Sequence, residues 1–293
     1  MYITQAGLGA TDGFCNLVVG ISDNVKCLES VPRLAAPPFA LNEDVPDAIA
    51  GAPGGIGFSM MADKRNTRAL AIGNECNTAT DPEVYNVKTG EYPLTQRLFV
   101  YANPNRPLSP AARSYLDFLL SAEGQTAVAN AGFADLSPSL SPEAYSSDRV
   151  DRVRDAQDGG RMRIRPADAR AFEEAIGGGD RLSITFRFLA GGNELDARSE
   201  ADVGRLTQLI QLPAYSNMQV VLIGYSGASG DYAEARALSR DRADAIRDRL
   251  VAQSGLKDVI SLGIGPAAAV ACNLDASTAP LNQRVEVWLR KRG

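Results

Sequence analysis

The 293-residue sequence contains no histidine, one tryptophan and four cysteines. Without an imidazole there is no Ser-His-Asp or Cys-His catalysis, no His-ligated zinc and no side chain whose ordinary pKa lies near neutrality. Long apolar runs are missing too. Nothing approaches the ~18 to 20 residues that a membrane-spanning helix needs, so no transmembrane segment is expected. Cys15, Cys27, Cys76 and Cys272 show no C-x-x-C spacing, which argues against a zinc ribbon or a thioredoxin-type site, and no metal or cofactor is assigned. Cys15 and Cys27 are close enough to close a short loop in an oxidising compartment; buried free thiols are the other reading, and both stay open. The opening Met1 to Leu17 lacks the basic and apolar regions of a secretory leader, so the chain is read as mature or cut.

Positive charge is also in short supply. Lys and Arg total 30 against 35 Asp and Glu, a net charge of -5. Residues 1 to 136 carry 9 basic and 14 acidic side chains, and residues 137 to 293 carry 21 of each. No concentrated basic surface exists to draw in a phosphate backbone, so nucleic acid is not expected as a partner.

What is present is a folding composition, 45% hydrophobic and 22% charged, long enough for one or two domains with real cores. Composition shifts after Leu136. The stretch SPSLSPEAYSSDRVDRVRDAQDGGRMRIRPADAR is poor in large apolar residues and broken by Pro and Gly, so 138–179 reads as a linker. A short helix is expected within it from Pro166 to Ile176, ended by Gly177, Gly178 and Gly179.

In 1–137, strands are expected at Gly54 to Ser59, Arg97 to Tyr101 and Gly132 to Leu136. Helices are expected after Ser109 and Ser121, each of which suits an N-cap. That mixture is α/β. In 180–293 the order is β-α-β-α-β-β. Ser183 to Phe188 alternates as a strand, and Ser199 to Leu212 carries Val203, Leu206 and Ile210 on one helical stripe. Gln219 to Tyr225 is apolar enough for a central strand. A long helix runs from Asp231 to about Ser254, and strands follow at Val259 to Leu262 and Arg284 to Leu289.

Chemistry-bearing patterns are few. Glycine-rich Leu8 to Phe14 suits a turn into a helix whose backbone N–H groups face an anion, with Gly9, Ala10 and Thr11 as candidate contacts; a plain turn is the alternative. The Gly224 to Gly230 loop leaves a central strand and enters a long helix, a favoured ligand position in open sheets. Arg242 lies on that helix, with a planar fork suited to a carboxylate; a solvated face with opposite charges one turn apart is the alternative. Glu43, Asp44 and Asp47 cluster where they would polarise a helix start. Ser226 and Ser229 form no G-x-S-x-G elbow, and no catalytic residue is assigned.

Residues 180–293 resemble the OmpA-like, peptidoglycan-associated domain through Phe186-x-Phe188, Leu222-Ile223-Gly224-Tyr225, Leu238-Ser239-x-x-Arg242-Ala243 and Asn282-Gln283-Arg284-Val285-Glu286-Val287. The resemblance implies a non-covalent grip on the diaminopimelate of the cell-wall stem peptide. A loop Asp would hold its amine, and the helix Arg, here Arg242, its carboxylate. Arg284 would support the pocket, and Tyr225, Ser226 and Gly227 would line it. Where the family has G-H-T-D, this chain has Gly224-Tyr225-Ser226-Gly227, so the Asp position is Gly227 and the amine loses its counter-charge.

Residues 1–137 resemble the C-terminal portion of a type II periplasmic solute-binding protein of the phosphate-binding, PstS-like class. The words that carry this are Gly54-Gly55-Ile56-Gly57-Phe58, Val87 to Leu94, Arg97 to Tyr101, Ser121-Ala122-Glu123-Gly124-Gln125 and Ala131-Gly132-Phe133. It implies a partial α/β lobe and phosphate or another oxyanion as ligand, with Gly9, Ala10 and Thr11 at the helix-start turn. Together the resemblances imply a non-enzymatic protein of the periplasm or cell envelope, a solute-binding module held on peptidoglycan. The other reading is an envelope interaction protein in which both sites have decayed and a protein partner is bound instead.

Overall fold

The computed structural model describes all residues except 32–36, 74–78, 143–144, 156–163, 190–191, 228–230, 272–278 and 293. Cys76, Cys272 and the Ala228 to Gly230 part of the glycine loop lie outside the described residues. The chain divides into two units, Met1–Ile72 with Thr80–Val87 and Tyr92–Ser137, and Gly73–Ala79 with Lys88–Glu91 and Pro138–Gly293.

The first unit is built from short pieces. Helices α1 (Gly9–Phe14), α2 (Asn24–Ser30) and α3 (Asp44–Ala50) precede α4 (Val84–Thr89), whose final residues, with Gly90 and Glu91, belong to the second unit. Helices α5 (Pro110–Leu120) and α6 (Ala122–Asn130) follow. Ser109 and Ser121 cap α5 and α6 as expected, accepting from the N–H groups of Ala112 and Gly124 at 3.2 and 3.1 Å. A small core gathers Ile3 and Phe14 around a Cys15–Cys27 disulfide, which closes the loop left open by the spacing alone.

The strands expected here are not formed. Gly57 makes one bridge to Tyr2, and residues 132–136 are turn and bend. Arg97 to Tyr101 is in no ladder, with Leu98, Phe99, Val100 and Tyr101 all exposed. A β-prone run becomes a strand only where another backbone pairs with it, and no strand of the described residues does so. Asp44 and Asp47 lie in the first turn of α3, where negative charge was expected, while Glu43 at the N-cap makes no side-chain cap bond. Glu43 and Asp47 also pair with Arg65, the Glu43 contact at 3.5 Å.

The second unit carries a four-stranded sheet. Its strands are β1 (Asp180–Arg187), β2 (Met218–Tyr225), β3 (Val259–Gly263) and β4 (Arg284–Lys291), in spatial order β1-β4-β2-β3. β4 runs antiparallel to β1 and β2, while β2 and β3 are parallel. Between them lie α9 (Ala197–Ile210) and the 23-residue α10 (Tyr232–Ser254). Asp231 and Glu234 form a capping box that starts α10, and Gly255 at φ 72° ends it. The β-α-β-α-β-β order and the mixed α/β class read from the sequence are borne out.

Period-two alternation sorts the sheet's side chains onto two faces. Val220, Leu222, Val285, Val287 and Leu289 meet Val203, Leu206 and Ile246 of α9 and α10. Val221, Ile223, Tyr225 and Trp288 face the other way. That second face is covered by α7 (Tyr145–Asp155) and α8 (Pro166–Ile176), through Val153, Phe172 and Ile176. The 138–179 stretch, expected as a linker, thus differs from expectation in its described residues: beyond the anticipated α8 it supplies α7 and half of the sheet's cover. Few apolar residues suffice because α7 buries Arg149 as well as Val153.

Gly224 lets α10 approach β2. A Cβ there would stand 1.9 Å from the carbonyl oxygen of Ser239, so any side chain would push the helix off the strand.

Candidate functional site

The loop after β2 and the facing turn of α10 are the first candidate. Close approach at Gly224 sets α10 against the strand end, and the Gly265 N–H donates to the Ser239 hydroxyl at 3.0 Å. One turn on, Arg242 leaves the helix. Its side chain is only 3% exposed, with the guanidinium stacked 4.6 Å over the Phe188 ring. Nε donates to the Asn193 side-chain oxygen at 3.2 Å and Nη2 to the Gly192 carbonyl at 3.0 Å. Nη1 is buried with no partner among the described residues. Burial lowers the Arg242 pKa below the usual guanidinium value.

Ser226 is the second orphan. Its N–H donates to the Gly265 carbonyl at 2.9 Å, yet its buried hydroxyl has no partner among the described residues. Two buried polar groups with no partner among the described residues thus flank one glycine loop, where such groups ordinarily find a partner. Gly227, buried with them, adds no side chain.

Tyr225 and Arg284 point elsewhere than the resemblance implied. The Tyr225 ring turns into the core, donating its hydroxyl to Glu286 at 3.0 Å, with the Arg284 guanidinium 3.9 Å from the ring centre. Both are fully buried, because Tyr225 shares the inward face of β2 with Val221 and Ile223. Arg284 chelates Glu286 through Nε and Nη2 at 2.9 and 2.8 Å and reaches the Ala268 carbonyl at 3.0 Å. Trp288 Nε1 adds a bond to Glu286 at 3.2 Å, and Arg149 and Arg181 each stand 3.4 Å from it.

This buried ion cluster was not anticipated. Its members are Arg149, Arg181, Arg284, Glu91 and Glu286, with Tyr145 among them. Burial opposes ionisation of both carboxylates. Arg149 and Arg181 outweigh it, holding Glu91 well below and Glu286 below the usual range. Desolvation pushes the Tyr145 hydroxyl up to about 12. A glutamate inside a strand covered on both faces was the available sequence signal, because such a charge requires a buried partner.

The anion turn is also arranged differently. Thr11 is fully buried and donates its hydroxyl to the Thr4 carbonyl at 2.7 Å, with the Thr4 hydroxyl 2.7 Å away. Ala10 is buried, Gly9 opens the six-residue α1, and Asp12 brings negative charge into its first turn. A shallow recess of about 370 Å³ lies apart from these groups, on α7 and α8, where Ser146, Val150, Asp151, Arg154 and Glu173 line it. Among the described residues, no group of three or more His, Cys, Asp and Glu side chains gathers to hold a metal, and no helix is long and apolar enough to cross a membrane.

Comparison with known proteins places residues 187–269 in an OmpA family match. Over 104 residues the chain is 30% identical to the phosphate-binding protein PstS of Pseudomonas aeruginosa, a stretch covering 34% of this chain and 32% of that protein. The chain thus spans about a third of the length of the curated relatives it matches. Solved structures similar to it include the periplasmic domain of Helicobacter pylori MotB, at 17% identity and TM-score 0.33, covering 39% of this chain and 78% of that one. Another is the peptidoglycan-associated lipoprotein from Burkholderia pseudomallei, at 18% identity and TM-score 0.32, covering 36% and 89%. The second unit contains an OmpA-like domain.

Proposed function

We propose that the protein is a non-enzymatic component of the cell envelope, held on peptidoglycan by its OmpA-like domain. The observation that carries this is a pair of buried polar groups beside the loop after β2, Arg242 Nη1 and the Ser226 hydroxyl, that have no partner among the described residues. A stem-peptide carboxylate satisfies the guanidinium N–H, and the hydroxyl takes a second polar group of the same ligand. Gly227 supplies no counter-charge for the ligand amine, so the grip acts on the acid end alone. A disulfide between Cys15 and Cys27 fits an oxidising compartment such as the periplasm.

Support for phosphate in the first unit is confined to the 104-residue likeness to PstS, because Thr11 spends its hydroxyl on Thr4. The domain scheme within this proposal is a PstS-like N-terminal portion followed by an OmpA-like C-terminal domain.

Co-sedimentation of the full chain with purified peptidoglycan tests the proposal. Arg242→Ala is expected to abolish binding. Gly227→Asp is expected to tighten it roughly tenfold or more, by restoring one charge-assisted hydrogen bond of about 1.5 to 3 kcal/mol. No binding by the unaltered chain contradicts the proposal. It would favour the second reading, an envelope protein that binds a protein partner and neither phosphate nor peptidoglycan. That reading draws on the engagement of Arg242 Nε and Nη2 by Asn193 and Gly192.

A further inference from the structure

Lys88–Glu91 belongs to the second unit although the residues on either side of it belong to the first. Four arginines of the second unit converge on those four residues. Arg198 donates to the Lys88 carbonyl at 2.8 Å, and Arg187 donates to the Thr89 and Gly90 carbonyls at 3.2 and 3.3 Å. Arg149 Nη2 meets both oxygens of Glu91 at 3.1 and 3.0 Å, and Arg181 Nη1 pairs with the same carboxylate. Gly90, at φ +69°, makes the bend that turns the Glu91 side chain inward. Lys88, Thr89 and Glu91 are all buried.

The division of labour among these contacts defines a receptor. Arg187 and Arg198 hold backbone carbonyls, which every peptide offers. Arg149 and Arg181 hold a carboxylate, which few peptides present at that position. Among the described residues, Arg149, Arg181 and Arg284 pair with two carboxylates, Glu91 and Glu286, so withdrawing Glu91 removes one of the two described counter-charges from a buried cluster.

We infer that Arg149 and Arg181 form a carboxylate-binding site, filled in cis by Glu91 on a strap whose backbone is gripped by Arg187 and Arg198. The ligand class is a peptide segment with a glycine immediately before an acidic side chain. This site is separate from the loop after β2 and stands whether or not the protein binds peptidoglycan.

The test removes the carboxylate and supplies it again in the full chain. Glu91→Ala is expected to lower the unfolding midpoint of the second unit by about 10 °C, as loss of one partner of a buried ion pair does. Sodium propionate at about ten times its dissociation constant is expected to restore roughly 3 °C, relative to sodium chloride at equal ionic strength. The unaltered chain, whose site is filled, and Glu91→Gln, whose amide occupies the space, are expected to show no such gain. An unchanged midpoint in Glu91→Ala overturns the inference, as does an equal propionate effect on all three proteins.

A second readout needs no variant. Trypsin cleaves after lysine, and a seated strap keeps the Lys88–Thr89 bond intact while exposed sites elsewhere are cut. Early cleavage at Lys88 in the unaltered chain, with the second unit still folded, also overturns the inference.

Discussion

Glu286→Gln tests how the buried charges are balanced, and Trp288 makes the test readable. In the folded chain Glu286 accepts from Tyr225, Trp288 and Arg284 and stands 3.4 Å from both Arg149 and Arg181. The amide keeps an acceptor oxygen for the tyrosine and tryptophan but removes the charge, leaving Glu91 as the remaining carboxylate of the cluster among the described residues. Removing one partner of a buried pair costs about 3 to 5 kcal/mol. A domain is stable by about 5 to 15 kcal/mol, so the substitution takes a third or more of that margin at the centre of each range. Trp288 is the only tryptophan in the sequence and is fully buried beside the mutated position, so urea unfolding followed by its fluorescence reports the second unit alone. A loss below about 1 kcal/mol refutes the reasoning, because that is what an exposed, screened pair contributes.

Acid probes the same cluster with no mutation. Both carboxylates have pKa values lowered in the fold, so their contribution is fully present above the unfolded glutamate value of about 4.3 and is lost as pH falls through the folded values. The Trp288 transition is expected below pH 4, and a midpoint between pH 5 and 7 contradicts this account. Gly224→Ala is expected to destabilise the second unit by about 1 to 3 kcal/mol by forcing α10 away from the Ser239 contact, measured by the same fluorescence; a neutral result contradicts the close approach.

Much of the second unit was legible because its signals are local. Gln219 to Tyr225 is an apolar run, Asp231 with Glu234 spells a capping box, and Pro166 with Gly177 brackets α8. What escaped was the cover of the sheet's second face. Residues 145–155 carry too few apolar side chains to announce a buried helix, and their buried Arg149 is balanced by Glu91, 58 positions away in sequence. Only the folded chain shows that pairing.

The opposite error occurred at Arg97 to Tyr101. Strong β-propensity was present, but pairing is a property of two segments and only one was in view. At the candidate site, Arg242 was legible from its helix and Ser226 from its loop. The inward turn of Tyr225 follows from strand alternation with Val221 and Ile223, and Thr11 turned to Thr4 through a contact seven residues back.

Co-sedimentation with purified peptidoglycan bears most directly on function. The full chain is expected in the pellet, Arg242→Ala in the supernatant, and Gly227→Asp in the pellet at lower peptidoglycan concentration. Equal pelleting of the unaltered chain and Arg242→Ala would show that this guanidinium does not hold the wall.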